Sequence, residues 1–122
     1  MKIDYNLQLN KNNKLQHFLN IEYLSKEHIN EIIDLADNYI SSNSNKFKDL
    51  EGKTIASLFF EPSTRTKTTF ELASKRLSAD FINIDIANSS TLKGESILDM
   101  IKTLEAMECD MFIVRHSSSG TP

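Results

Sequence analysis

The sequence predicts an α/β fold, a parallel sheet with helices on both faces. Segments of helical period alternate with short apolar runs in the order helix, strand, helix, strand, helix, strand. A helix between two strands is the crossover that returns the chain to the same end of the sheet, so consecutive strands run parallel through right-handed connections. Each apolar run also leads into a loop carrying hydroxyl or basic residues, which places that chemistry at one end of the sheet.

Residues 1–14 read as a flexible N-terminal tail, rich in Asn, Lys and Gln and weak in periodicity. Leu15, Phe18, Leu19 and Ile21 are the first residues expected to be buried. Ser25 stands in an N-cap position, with Leu24 and Ile29 in the spacing of a hydrophobic staple. Ile29, Ile32, Ile33, Ala36 and Ile40 follow at helical period, giving a helix from about Lys26 to Ser41. Polar residues close it, with Phe47 and Leu50 expected to touch the core. Thr54 to Phe60 is a short, bounded apolar run and reads as a buried strand. From Thr64 to Leu77, Phe70, Ala73 and Leu77 recur on one helical face, leaving Lys67, Lys75 and Arg76 to water. Thr68 and Thr69 lower the intrinsic propensity there, so packing must hold this helix. Asp80 to Ile86 alternates, with Ile82, Ile84 and Ile86 on one side and Asn83 and Asp85 on the other, as in a strand near a sheet edge. Ser96 to Glu108 returns to helical period through Ile97, Met100, Ile101, Leu104 and Met107. Met111 to Val114 is a third strand, ending in Arg115 and His116.

The 122 residues, 39% of them hydrophobic, suit one domain with a modest core. Fourteen basic against 17 acidic side chains give a net charge of −3. No global field for gripping nucleic acid or an anionic membrane results, so any anion site must be local. Cys109 is the only cysteine, which excludes an internal disulfide or a cysteine-cluster zinc site and fits a buried thiol in a reducing compartment. The first twenty or so residues lack the apolar core of a leader, and no stretch approaches membrane-spanning length. The expected location is cytoplasmic.

Between Phe59 and Thr66 an apolar run breaks into hydroxyls around one arginine, just before a helical segment. A helix start carries N–H groups without intrahelical acceptors and a partial positive charge, so an anion there gains donors and field together. Ser63, Thr64 and Thr66 add hydroxyls. Arg65 adds a planar guanidinium that matches a phosphate edge, each charge-assisted bond contributing roughly 1.5–3 kcal/mol. Taken alone, these residues also fit an ordinary Ser or Thr N-cap beside a solvated arginine. The rest of the sheet favours the anion site, because ligands bind outside the carboxyl ends of parallel strands. Ser63 to Thr66 follow the first strand, Ser89, Ser90 and Lys93 follow the second, and Arg115 and His116 close the third. All three loops can face one crevice. Lys93, beside Gly94, also reads as a solvated loop lysine, and His116 as a structural histidine. Glu61 and Glu95 flank the basic loops and are expected to orient Arg65 or Lys93. Neither Gly-x-x-x-x-Gly-Lys-Ser/Thr nor Gly-x-Gly-x-x-Gly occurs, and no carboxylate pair, metal-ligand spacing or Ser/His/Asp order argues for a hydrolase or metalloenzyme.

At these residues the sequence resembles a known family. Phe60-Glu61-Pro62-Ser63-Thr64-Arg65-Thr66, with Phe70-Glu71 following, is similar to the carbamoyl-phosphate signature of the transcarbamylases. Ornithine carbamoyltransferases share the Ser-Thr-Arg-Thr block, whereas Lys93-Gly94-Glu95 and Val114-Arg115-His116 together resemble the aspartate carbamoyltransferases of pyrimidine biosynthesis. The likeness runs in order from about Leu24 to His116. It implies that Ser63, Thr64, Arg65 and Thr66 hold the phosphate, with Thr66 and Arg115 also reaching the carbonyl oxygen of carbamoyl phosphate. It implies attack by the amine of L-aspartate on that carbonyl, release of phosphate and no cofactor. In the family the serine and lysine of the middle loop, here Ser89 or Ser90 and Lys93, reach a neighbouring subunit's active site. The implied assembly is a homotrimer, with or without regulatory chains.

Lys67 stands where an arginine is common in the family. The family also places a His-Pro-Thr-Gln motif and an aspartate-binding domain after the point where this chain stops. Residues 15–122 are therefore expected to be part of a carbamoyl phosphate-binding domain, with the aspartate-binding domain absent and the chain inactive alone. Three parallel strands should leave an open sheet edge beside the last strand and apolar helix faces uncovered. Two other readings fit the same residues: a noncatalytic phosphate-binding or interaction module, and a transcarbamylase with another amine acceptor.

Overall fold

The computed structural model describes residues 5–84, 96–120 and 122. The chain divides into two compact units, Met1–Asn43 and Ser44–Pro122.

In the first unit a 3₁₀ turn, Tyr5–Gln8, leads into an isolated antiparallel bridge between Leu9 and Leu15. Gln8 is its anchor, 1% exposed. A buried amide must find partners. Gln8 Oε1 accepts the N–H groups of Leu19 at 2.8 Å and Asn20 at 3.0 Å, and its carbonyl accepts from Gln16 and His17. The boundary placed at residue 14 from sequence falls inside this bonded segment. Helix α1 spans Lys26–Ser41, the limits read from sequence. Ser25 Oγ accepts the His28 N–H at 3.3 Å while His28 Nδ1 accepts the Ser25 N–H at 3.2 Å, a reciprocal cap with histidine in the third helical position. His28 Nε2 then donates to the Asn13 carbonyl at 2.9 Å, which places the ring proton on Nε2. The expected apolar face of α1 is not a buried face. Ile32, Ile33 and Ile40 are exposed and His28 is the buried residue of the helix, because its unit holds no second long element for that face to pack against.

The second unit holds β1 (Thr54–Phe59), α2 (Thr64–Arg76), β2 (Asp80–Asn83), α3 (Ile97–Ala106) and β3 (Met111–Arg115). The sheet is parallel, in the order β2-β1-β3. The first crossover steps one way from β1 and the second steps back across it. Two right-handed connections with opposite steps put α2 and α3 on opposite faces. Central β1 is accordingly buried on both sides. Ala56 and Leu58 pack with Met100, Leu104 and Cys109, while the alternate residues Ile55 and Ser57 are also buried. Cys109 is a buried free thiol, as expected.

Three details depart from the sequence reading. Strand β2 stops at Asn83, leaving Ile84 outside it, and Asp85 and Ile86 lie outside the described residues. Helix α2 is rotated by about one residue, some 100° of arc. Phe70 and Ala73 are exposed, whereas Lys67 and Glu71 are half-buried and Ser74 is buried. Ser74 enters the interior without an orphaned hydroxyl because its Oγ donates to the Phe70 carbonyl at 2.7 Å. Helix α3, capped by Ser96 Oγ on the Asp99 N–H, buries Met100 and Leu104 but ends at Ala106, so Met107 lies exposed in the cap position.

Candidate functional site

The site grows from the register of the sheet. Phe59 of β1 pairs with Arg115 of β3, and one step further the Phe60 N–H donates to the Arg115 carbonyl at 2.8 Å. The last residue of β3 is thus fixed beside the turn that opens α2. Ser63 sits at the N-cap with φ −159° and ψ 75°, yet its side chain makes no capping bond. The N–H groups of Thr64, Arg65 and Thr66 consequently have no acceptor among the described residues, and the first intrahelical bond is Lys67 N–H to the Ser63 carbonyl at 3.0 Å. This excludes the ordinary cap as the role of Ser63.

Ser63 Oγ instead accepts from Arg115 Nη1 at 2.9 Å, and the same nitrogen lies 3.3 Å from Thr66 Oγ1. Arg115 Nε donates to Glu61 Oε1 at 2.8 Å. Glu61 therefore orients Arg115, where the sequence suggested Arg65 or Lys93. Both partners of this pair are part-exposed, at 44% and 35% of their side-chain surface, so it contributes about 1 kcal/mol or less and an entering anion can compete for the guanidinium. Arg65 is exposed, and among the described residues its guanidinium makes no hydrogen bond or ion pair. His116 packs on Phe60, ring centroids 5.0 Å apart, and its Nδ1 accepts the Ser118 N–H at 2.9 Å.

Beside this turn opens a cleft of about 690 Å³ whose lining includes Glu61, Ser63, Thr64, Lys67, Glu71 and Asn83. Lys67 was expected to point to water but lines this cleft, half-buried. The signal was available: Lys67 follows Ser63 by four residues, one turn along the same helical face.

Of the site residues read from sequence, Ser63, Thr66 and Arg115 are thus in direct contact, Thr64 lines the adjoining cleft and Arg65 lies in the same turn. Ser89, Ser90 and Lys93, together with Glu95, lie outside the described residues. Among the described residues no group of His, Cys, Asp or Glu is arranged to hold a metal ion, and no helix is long and apolar enough to cross a membrane. What converges is a set of donors: backbone N–H groups with a helix field behind them, one hydrogen-bonded guanidinium and two hydroxyls, with the exposed Arg65 in the same turn. Such a set accepts a small oxyanion.

Residues 16–122 match the family model of the aspartate/ornithine carbamoyltransferase carbamoyl-P binding domain. Aspartate transcarbamoylase from Trypanosoma cruzi, solved with aspartate and phosphate, superposes with a TM-score of 0.75 at 31% identity, over 88% of this chain and 36% of that one. The same enzyme solved with carbamoyl phosphate gives 0.70 at 32% identity, over 84% of this chain and 34% of that one. The catalytic subunit of M. jannaschii aspartate transcarbamoylase gives 0.70 at 37% identity, over 87% of this chain and 35% of that one. The chain spans about a third of the length of these relatives. A parallel α/β unit whose strand ends gather Ser63, Thr66 and Arg115, matched over nearly its whole length, belongs to the aspartate/ornithine carbamoyltransferase family and is similar to its carbamoyl-phosphate binding domain.

Proposed function

We propose that this chain forms the carbamoyl phosphate-binding part of an aspartate carbamoyltransferase, with residues 15–122 as a portion of that domain. The observation that carries the reading is Arg115 hydrogen-bonded to Ser63 and Thr66 above an uncapped helix start. In this reading Ser63, Thr64, Arg65 and Thr66 hold the phosphate. Arg115 and Thr66 also aim donors at the carbonyl oxygen. The amine of L-aspartate attacks the carbonyl carbon, negative charge grows on that oxygen, and donors already in place stabilise it in the transition state more than in the ground state. The carbon–oxygen bond to phosphate then breaks. Phosphate departs with the electron pair and accepts the proton of the amine, so N-carbamoyl-L-aspartate forms without a separate base. Ser89 or Ser90 and Lys93 act in the site of a neighbouring subunit of a homotrimer, and aspartate is held by groups outside these residues.

Calorimetric titration of the chain with inorganic phosphate and with carbamoyl phosphate tests the binding half. Saturable binding that Arg65→Ala weakens by about tenfold or more, with the unfolding midpoint unchanged, is the expected result. Binding insensitive to Arg65 overturns the site. The transfer half is tested by assaying carbamoyl aspartate: the chain alone is expected to form none, and turnover by the purified chain overturns the assignment of aspartate binding to other residues.

A further inference from the structure

We propose that Lys67 is a further binding residue of this site, placing its ammonium on the phosphoryl group from the wall of the cleft that adjoins the Ser63 turn. The inference rests on the anion-site reading above and deepens it.

The charges around the cleft carry the argument. Two carboxylates, Glu61 and Glu71, belong to its lining. Each is already held by a different cation. Glu61 accepts from Arg115 Nε at 2.8 Å, and Glu71 accepts from Lys75 Nζ at 2.9 Å. Lys67, which lines the same cleft, has no carboxylate within ion-pair distance among the described residues, although Glu71 follows it by four positions in a spacing that favours pairing. Among the charged residues that line the cleft, Lys67 is therefore the cation left uncompensated. A half-buried lysine on the wall of a concave site, with its local carboxylate drawn off by another lysine, is poised for an anion from solution.

Position on the helix supplies the direction. Side chains of an α-helix lean toward its N-terminus and cover the turn before their own Cα. Lys67 is one turn into α2, so its stem lies back over Ser63 and Thr64, which line the cleft with it. Arg115 approaches the same turn from β3, through Ser63 Oγ and Thr66 Oγ1. A phosphoryl group seated on the open N–H groups of Thr64 to Thr66 is thus offered a guanidinium and a compact point charge at one turn. A lysine there adds Coulomb attraction without fixing orientation, so its contribution is to affinity for the phosphoryl group and not to the geometry of the carbonyl.

The test is titration with inorganic phosphate at fixed ionic strength, followed in the unmodified chain by the Nζ and Cε resonances of Lys67 and calorimetrically in variants. Phosphate is expected to shift the Lys67 resonances with the same midpoint as the calorimetric isotherm. Lys67→Gln is expected to weaken phosphate about tenfold, the worth of one charge-assisted contact, while Lys67→Arg stays close to the parent. Lys102→Gln on α3 removes the same net charge from the other face of the sheet and is expected to leave affinity unchanged. Lys67 resonances that do not move, affinity of Lys67→Gln within twofold of the parent, or an equal loss in Lys102→Gln each overturn the role of Lys67. Failure of the parent reading looks different: in that case the unmodified chain does not bind phosphate, or binds it without dependence on Arg65, and the Lys67 assignment falls with it.

Discussion

The Phe60 N–H donates to the Arg115 carbonyl at 2.8 Å, one step beyond the last paired residues of β1 and β3. The backbone of a charged residue is thereby locked at the point where its side chain leaves the sheet. Phe60 also meets His116 ring to ring at 5.0 Å. The guanidinium is held at its root by main chain and at its tip by Glu61 and Ser63. Little reorganisation is then needed when an anion arrives.

Arg115→Ala should abolish this arrangement. Carbamoyl phosphate affinity is expected to fall by at least tenfold, one or two charge-assisted bonds being lost. Arg115→Lys, which keeps the charge and loses the fork, should recover only part of it. Calorimetric titration with carbamoyl phosphate measures both. Equal affinity in Arg115→Ala and the parent would show that the guanidinium faces no ligand.

Ser57→Ala should stabilise the second unit. Ser57 is fully buried on β1 and its Oγ has no hydrogen-bond partner among the described residues. A desolvated, unpaired hydroxyl costs about 1–3 kcal/mol, and removing it leaves little void. The urea midpoint is expected to rise with an unchanged slope. A lower midpoint would mean that the hydroxyl has found a partner.

His28→Ala should loosen the start of α1. It removes the acceptor of the Ser25 N–H and the donor to the Asn13 carbonyl. A loss of about 1 kcal/mol is expected for such a cap. Faster amide exchange at Ser25 is the direct readout, and unchanged protection there would contradict the cap.

Leu104→Ala should be the most damaging of these changes. Leu104 belongs to the cluster with Ala56, Leu58, Met100 and Cys109. Truncating a buried leucine typically costs about 2–5 kcal/mol, through lost transfer energy and the cavity left behind. Thermal unfolding of the variant measures it, and a midpoint within a degree or two of the parent would mean that the cluster is loosely packed.

The parts of this molecule that were legible in its sequence are those governed by local rules. Ser25 and the period of Ile29 to Ile40 located α1 at Lys26–Ser41 because a cap and a repeat are short-range signals. The alternation of element types likewise dictated parallel strands. Which face of α2 is buried was misread, since Phe70 and Ala73 form a good apolar stripe on paper. The buried face instead carries Ser74, which meets its own polar requirement on the Phe70 carbonyl. Apolar period alone cannot see a serine that carries its partner with it. The partner of Glu61 was missed for a related reason: its neighbour in sequence is Arg65, but the register of β1 with β3 delivers Arg115. Convergence of Ser63, Thr66 and Arg115 was readable because strand ends of a parallel sheet share one edge.

Ser63 and Arg115 are 52 residues apart along the chain, and the rim exists only after both crossovers have closed and β3 has docked. Contacts of such long sequence separation form late, once the entropy of loop closure has been met. An anion that recognises the assembled rim has no comparable partner on the unfolded chain. It therefore draws the folding equilibrium toward the native state by mass action, by about 2.7 kcal/mol when its concentration is a hundred times its dissociation constant. On the proposed reading the medium bears on folding as well: a phosphate-rich solution is expected to favour the docking of β3, because the rim that holds the anion is complete only when that strand is in place.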